Sequence, residues 1–371
     1  MTWAGWAEGR NAKANAKGRW RQVRDFDALG PRGGLADAGQ VVAFASNDYL
    51  GLSAHPQVLS AGHDALQRWG AGAGASRLVS GSRPVHRELE TQLAGWKGTE
   101  SAVLFPTGYM ANLGVLSALA GPDVLICSDA FNHASIIDGC RLAASLGAQV
   151  KVYRHVDLDA LASLLAATTT RAVVVTDSVF SMDGDEAPVE ELARLCDRYG
   201  ALLVLDEAHA VLGHHLSPLP CEVLRVGTLS KTLGSLGGFV AGRRTFMDLL
   251  VNRSRAFIYT TAPSPVSAAT ALAALGILQS EEGEALVARL ARHVATLRPG
   301  ATSPIIPVVI GSEEAALAAS SALLEEGIFI PAIRPPTVPP GTCRLRVTVS
   351  AAHSDEEVGR LRRVLARHGW V

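Results

Sequence analysis

Between Arg171 and Val226 the chain alternates strand-length apolar runs with a helical stretch, and that alternation limits its fold more than any other feature. Arg171-Ala172-Val173-Val174-Val175-Thr176, Ala201–Leu205 and Glu222–Val226 read as buried strands. Between the first two, Val189–Tyr199 carries Glu190, Glu191, Arg194 and Arg198 on one face and Leu192, Leu195 and Cys196 on the other. Strand, helix, strand in that order predicts a mainly parallel sheet covered by helices. In such a sheet ligands gather beyond the carboxyl ends of the strands.

The chain has 371 residues, enough for a large core and a smaller second lobe. With 48% hydrophobic and 19% charged residues it is not a disordered tail. A net charge of −1 predicts no bulk attraction to nucleic acid or to an anionic membrane. No apolar run approaches the length of a membrane span. Five scattered cysteines without C-x-x-C spacing fit a reduced, cytoplasmic setting, and no metal site is expected. Arg10, Lys13, Lys17, Arg19, Arg21 and Arg24 bias the N-terminus toward positive charge, but Glu8, Asp25 and Asp27 interrupt it, so a surface helix is the reading.

We expect three parts. Residues 1–45 form an N-terminal helix and arm, with a loop at Gly30-Pro31-Arg32-Gly33-Gly34. Residues 46–275 form a large α/β domain. Residues 276–371 form a small C-terminal α+β domain, joined by the N-terminal helix. In it Ile305–Ile310, Ala315–Glu326, Gly327–Pro331, Arg344–Val349 and Glu356–His368 read strand, helix, strand, strand, helix.

Three strand ends carry polar residues: Asp177–Asp185, Asp206-Glu207-Ala208-His209 and Gly227–Thr232. Asp206 follows four apolar residues, so its carboxylate wants a cationic or hydrogen-bonding partner. A protonated pyridine nitrogen is one such partner; a helix cap or an arginine pair is the plain alternative. Lys231 lies among small hydroxylic neighbours, where a desolvated lysine becomes a nucleophile; an ordinary surface loop is the alternative. Thr228 and Ser230 beside it can donate to a phosphate. No glycine precedes Lys231, which excludes a Walker loop, and Gly70–Gly74 follows a helical stretch, which excludes a dinucleotide fingerprint. Phe105-Pro106-Thr107-Gly108-Tyr109 reads as a turn entering a helix, whose first amides suit a phosphate. His133 alone is as readily structural.

In this order and spacing, the set resembles the fold-type-I pyridoxal-phosphate enzymes and, within them, the α-oxoamine synthases. The resemblance runs from Ser46-Asn47-Asp48-Tyr49 to Ala351-Ala352-His353 and implies an aminotransferase-like fold. Arg334-Pro335-Pro336-Thr337-Val338-Pro339 is similar to the branch that condenses L-alanine with a pimeloyl thioester, on coenzyme A or a carrier protein, in biotin synthesis. Relatives using glycine or serine, and a non-catalytic partner subunit, are the alternatives. The resemblance implies that Lys231 carries pyridoxal phosphate covalently, Asp206 pairs with its ring nitrogen and His133 stacks on it. It places Ser181 and His209 at the ring hydroxyl, and Gly108, Tyr109 and Thr228 around the cofactor and its phosphate. Arg334 would take the amino-acid carboxylate, with Thr337, Asn47 and His86 near substrate. Arg21, or Arg19, would meet the acyl donor. Thr260 and Thr261 match a segment reaching the neighbouring subunit's cofactor, which implies a homodimer with shared sites. Ala210 stands where the family has glycine, and Val211–Cys221 is shorter than usual, which bears on acyl-chain selectivity.

Overall fold

The computed structural model describes residues 2–212 and 218–370, so the middle of the shortened stretch after His209 lies outside the described residues. Among the described residues no helix is long and apolar enough to cross a membrane.

The chain opens with helix α1 (Trp3–Ala16), which buries no residue, and a meander of β1 (Phe26–Leu29), β2 (Arg32–Leu35) and β3 (Gly39–Ala43). The Gly/Pro-rich stretch read as a loop is therefore a hairpin. Gly30 turns it at a φ of 79°, and a side chain at Gly33 would strike Ala28 at 2.3 Å.

After α2 (Pro56–Trp69) and α3 (Pro84–Trp96) comes the main α/β body. Its strands are β4 (Ser101–Phe105), β5 (Val124–Asp129), β6 (Gln149–Tyr153), β7 (Arg171–Asp177), β8 (Leu202–Asp206), β9 (Val223–Thr228) and β10 (Gly238–Gly242). They align as β4-β10-β9-β8-β7-β5-β6, all parallel except β10, which is antiparallel to both neighbours. Helices α4 (Gly108–Leu119), α5 (Ala134–Ser145), α6 (Leu158–Ala167) and α7 (Val189–Tyr199) form the crossovers. On α7 the buried residues are Val189, Leu192, Ala193 and Cys196, the apolar face seen in the sequence. Two apolar clusters sandwich this sheet: Val173, Val175 and Val204 face one layer, and Val174, Leu203 and Leu205 face the other. Alternation along fully covered strands is why these runs are apolar throughout.

Helices α8 (Arg244–Arg253), α9 (Arg255–Ile258), α10 (Pro265–Leu278) and α11 (Glu281–Leu297) lead to the C-terminal part. There β11 (Ile305–Gly311), α12 (Glu313–Glu325), β12 (Ile328–Phe329), β13 (Ala332–Ile333), β14 (Cys343–Thr348) and α13 (Asp355–Arg367) follow the expected order. Strands β11, β14 and β13 make one antiparallel sheet, but β12 leaves it and pairs parallel with β3. The N-terminal segment is thus joined to the C-terminal part by a shared sheet and not by α1.

Candidate active site

Seven of the residues singled out in the sequence, Gly108, Tyr109, His133, Asp206, His209, Thr228 and Lys231, line one cavity of about 230 Å³ beyond the strand ends. Three elements set its floor. Thr107 caps α4 by accepting Met110 N at 3.1 Å, while Ala111 N reaches the Thr107 carbonyl at 3.0 Å. That arrangement leaves the amides of Gly108 and Tyr109 without a partner among the described residues, at the positive end of the helix. Behind them a side chain at Gly238 would stand 2.4 Å from Gly108 N. Thr228 turns inward instead of toward a ligand: its hydroxyl donates to the Gly237 carbonyl at 3.0 Å and lies 2.7 Å from Ser230 Oγ.

Asp206 ends β8, buried, with Oδ1 accepting Ala208 N at 2.9 Å and Oδ2 accepting Asn112 Nδ2 at 2.6 Å. Register places Asp177 of β7 beside it. Burial, then the Asp206 carboxylate, push Asp177 well above the ordinary carboxylate range. Glu207 points to the other side, into a buried triad with Lys97 at 2.7 Å and Arg225. Burial drives Glu207 upward, but the two cations outweigh it and hold it below its usual value.

Lys231 Nζ lies 2.8 Å from His209 Nε2, and His209 Nδ1 lies 2.5 Å from the Tyr49 hydroxyl. Tyr49 donates to Asn47 Oδ1 at 3.2 Å, an atom that also accepts from Arg346. Tyr49 is fully buried and pushed up to about 12, so it stays a donor. Burial lowers Lys231 against the opposing carboxylates of Asp206 and Asp177, which is how a lysine amine becomes available. Burial also carries His209 far below its ordinary value, helped by Lys231 and Arg346.

The remaining sequence candidates lie elsewhere. Ser181 is held by its carbonyl, which accepts Arg346 Nε at 2.5 Å, and Arg344 pairs with Asp183 in the same loop. Arg21, Arg334 and Thr337 line a separate groove of about 700 Å³ with Arg19. Arg334 donates to the Gly18 carbonyl at 2.6 Å, and Arg19 pairs with Glu313 at 2.7 Å. His86 is fully buried, bridging Arg83 N and the Pro263 carbonyl. Thr261 is exposed and does not line the Lys231 cavity. Sequence reasoning missed Tyr49, Asn112, Ser135 and Arg346 as site residues. Arg346 had a signal: Arg344, Arg346 and Thr348 alternate with Cys343, Leu345 and Val347, which puts two charges on one face of a buried strand.

A lysine amine whose charged form burial disfavours, a carboxylate on a strand end and a helix with free first amides match the three polar ends of pyridoxal phosphate: aldehyde, ring nitrogen and phosphate. The fold and this site define a pyridoxal-phosphate enzyme of the aminotransferase class I and II family, whose pattern matches residues 39–365. An 8-amino-7-oxononanoate synthase of Anaeromyxobacter dehalogenans is 50% identical over 90% of this chain and 89% of its own. A serine palmitoyltransferase structure from Sphingomonas wittichii is 30% identical, covers 98% of this chain and 97% of its own, and superposes with a TM-score of 0.88. A structure of SPT with PLP as the internal aldimine gives 27% identity, 98% of both chains and a TM-score of 0.89. Within its class the chain belongs to the 8-amino-7-oxononanoate synthase family.

Proposed function

We propose that the chain condenses L-alanine with a pimeloyl thioester, releasing carbon dioxide and the free thiol and forming 8-amino-7-oxononanoate. The observation that carries this reading is the Lys231 amine, buried against neutral His209 beside Asp206 and Asp177. Bound there, pyridoxal phosphate supplies an electron sink for the α-carbon of the amino acid. Asp206, fixed by Ala208 N and Asn112, holds the ring nitrogen protonated. The amides of Gly108 and Tyr109 hold the phosphate, with Thr228 behind them. Lys231 Nζ accepts the α-proton and later returns one; burial lowers its proton affinity toward that task. His133 lines the same cavity as Lys231, His209 takes the ring hydroxyl, and Asn47 orients Arg346, whose Nε holds the Ser181 carbonyl outside the cavity.

We assign the amino-acid carboxylate to Arg346 in preference to Arg334. The charge of Arg346 reaches both His209 and Lys231, whereas Arg334 is engaged with Gly18 and Glu313 in the other groove. Arg334 then belongs with Arg21, Arg19 and Thr337 on the acyl-donor side. Half-buried Thr260 and exposed Thr261 are the segment that would complete the partner's site in a homodimer, with the cytoplasm as its setting. The likeness to serine palmitoyltransferase keeps serine as the second reading for the amino acid. Purified protein incubated with single amino acids and acyl thioesters, with products identified by mass, tests the proposal. Product from alanine and a pimeloyl thioester supports it; turnover confined to serine or glycine sends it to the sister activity.

A further inference from the structure

We infer that Asn112 and Ser135 are positioning residues that fix the proton of His133 on Nε2, making the imidazole a neutral, one-way donor into the Lys231 cavity. The argument starts at Asp206. Asn112 Nδ2 lies 2.6 Å from Asp206 Oδ2 and 2.9 Å from Ser135 Oγ, with both side chains buried. A carboxylate only accepts, so the amide must face it with its NH2 group, and the flipped orientation is excluded. The second hydrogen of that group then goes to Ser135 Oγ. A serine hydroxyl that accepts there turns its own hydrogen to His133 Nδ1, 2.7 Å away. The backbone amide of Ser135 also points at Nδ1, at 3.2 Å, as His133 caps α5. Two donors converge on one ring nitrogen, so Nδ1 carries no hydrogen and Nε2 does. Asn112 Oδ1 is left buried with no hydrogen-bond partner among the described residues, a penalty that a packing residue such as leucine would not carry.

The charged and titratable groups around the ring are Asp206 from β8, Asp177 from β7, Lys231 from the loop after β9, His209, and Tyr109 of α4, whose ring meets the imidazole edge-on while its hydroxyl donates to Asp138. Asp206 favours a proton on His133, while partial desolvation, the largest influence, and Lys231 oppose one. In this tautomer His133 cannot take a proton at Nε2, which leaves base chemistry to Lys231. The inference rests on the proposed condensation only for the donor's use, at the thioester carbonyl oxygen where negative charge develops.

The test uses holoenzyme labelled with 15N-histidine, read by long-range 1H–15N spectra across the neutral pH range without amino acid or acyl donor. The His133 signals are identified by their loss in His133→Gln. Wild type should show a bare Nδ1 and a protonated Nε2. Ser135→Ala and Asn112→Leu should each populate the Nδ1–H form and raise the titration midpoint of His133 by about one unit, the size of one hydrogen bond. A protonated Nδ1 in wild type, or an unchanged tautomer and midpoint in Ser135→Ala, overturns the inference. If Asn112→Leu does not fold, wild type and Ser135→Ala decide the matter alone. Failure of the condensation itself would show as missing product mass and leave these spectra as they are.

Discussion

The Lys231 cavity and the groove beneath the N-terminal arm both gather polar residues, yet they are built in opposite ways. In the cavity, Asp206, His209, Asn112 and Tyr49 are buried, and each is fixed by another member of the site. In the groove, Arg19 keeps a side-chain exposure of 37%, Arg21 is exposed, and Arg19 and Arg334 share the part-exposed carboxylate of Glu313. Buried, mutually fixed dipoles act on developing charge without reorganising, whereas exposed ion pairs are screened and worth little. The contrast teaches where chemistry and where recognition reside: the first is preorganised, the second is completed by its ligand.

The strongest way to break that division is Asp206→Asn. Exchange of the alanine α-proton, measured before any acyl donor is added, should slow by about 10²–10³-fold. Arg21→Ala should leave this exchange at the wild-type rate. Equal losses in the two variants would mean that the regions do not divide the work.

Acid separates the regions next. Burial lowers His133 and His209, and it lowers His353, which is stacked on Phe44, to about 4. A histidine with a depressed folded value binds fewer protons folded than unfolded, so stability falls as pH drops from about 6.5 toward 4. His353 alone should contribute a loss of roughly 3 kcal/mol by the lower end of that window. In the groove, the hydrogen bond from Arg19 lowers Glu313, whose contribution persists above pH 4.5 and is lost only below its folded value. Urea unfolding at neutral pH and near pH 5 should therefore show a steep loss in wild type, and a shallower one in His353→Gln. A parallel loss in both would remove His353 from the account.

The fold and the inner site were largely legible in the sequence, because both are written in local patterns. Apolar runs ending in Asp177, Asp206 and Thr228 announce strands and what lies beyond them, and the two faces of Val189–Tyr199 announce a covering helix. Asn112 and Arg346 were not legible, since their partners lie about ninety residues and several hundred residues away, and only the sheet brings them together. The hairpin at Gly30 escaped for a different reason. Glycine and proline mark a turn equally well with or without strands on either side, and the partner that completes this sheet, β12, is two residues long.

Arg346 and Arg334 offer a finer test of the same division. A guanidinium that grips a carboxylate in a desolvated site gives about 2 kcal/mol, so Arg346→Lys should raise the alanine requirement roughly thirtyfold while keeping the cofactor spectrum. Arg334→Lys should alter the alanine requirement only a few-fold and act mainly on saturation by the thioester. The reverse order would return the carboxylate to Arg334 and move the boundary between the regions. The smallest effect belongs to Arg21→Ala, a change of a few-fold in thioester saturation that weakens with added salt.

The pairing of β12 with β3 also has a consequence during synthesis. Val42 and Ala43 leave the ribosome early, while their partners Ile328 and Phe329 are made about 285 residues later. At about 5–20 residues per second the edge of β3 waits on the order of 15–60 s for its mate. Through that interval the meander offers an open strand edge that another nascent chain can join. A strand made long before its mate is among the last parts of this sheet to be closed.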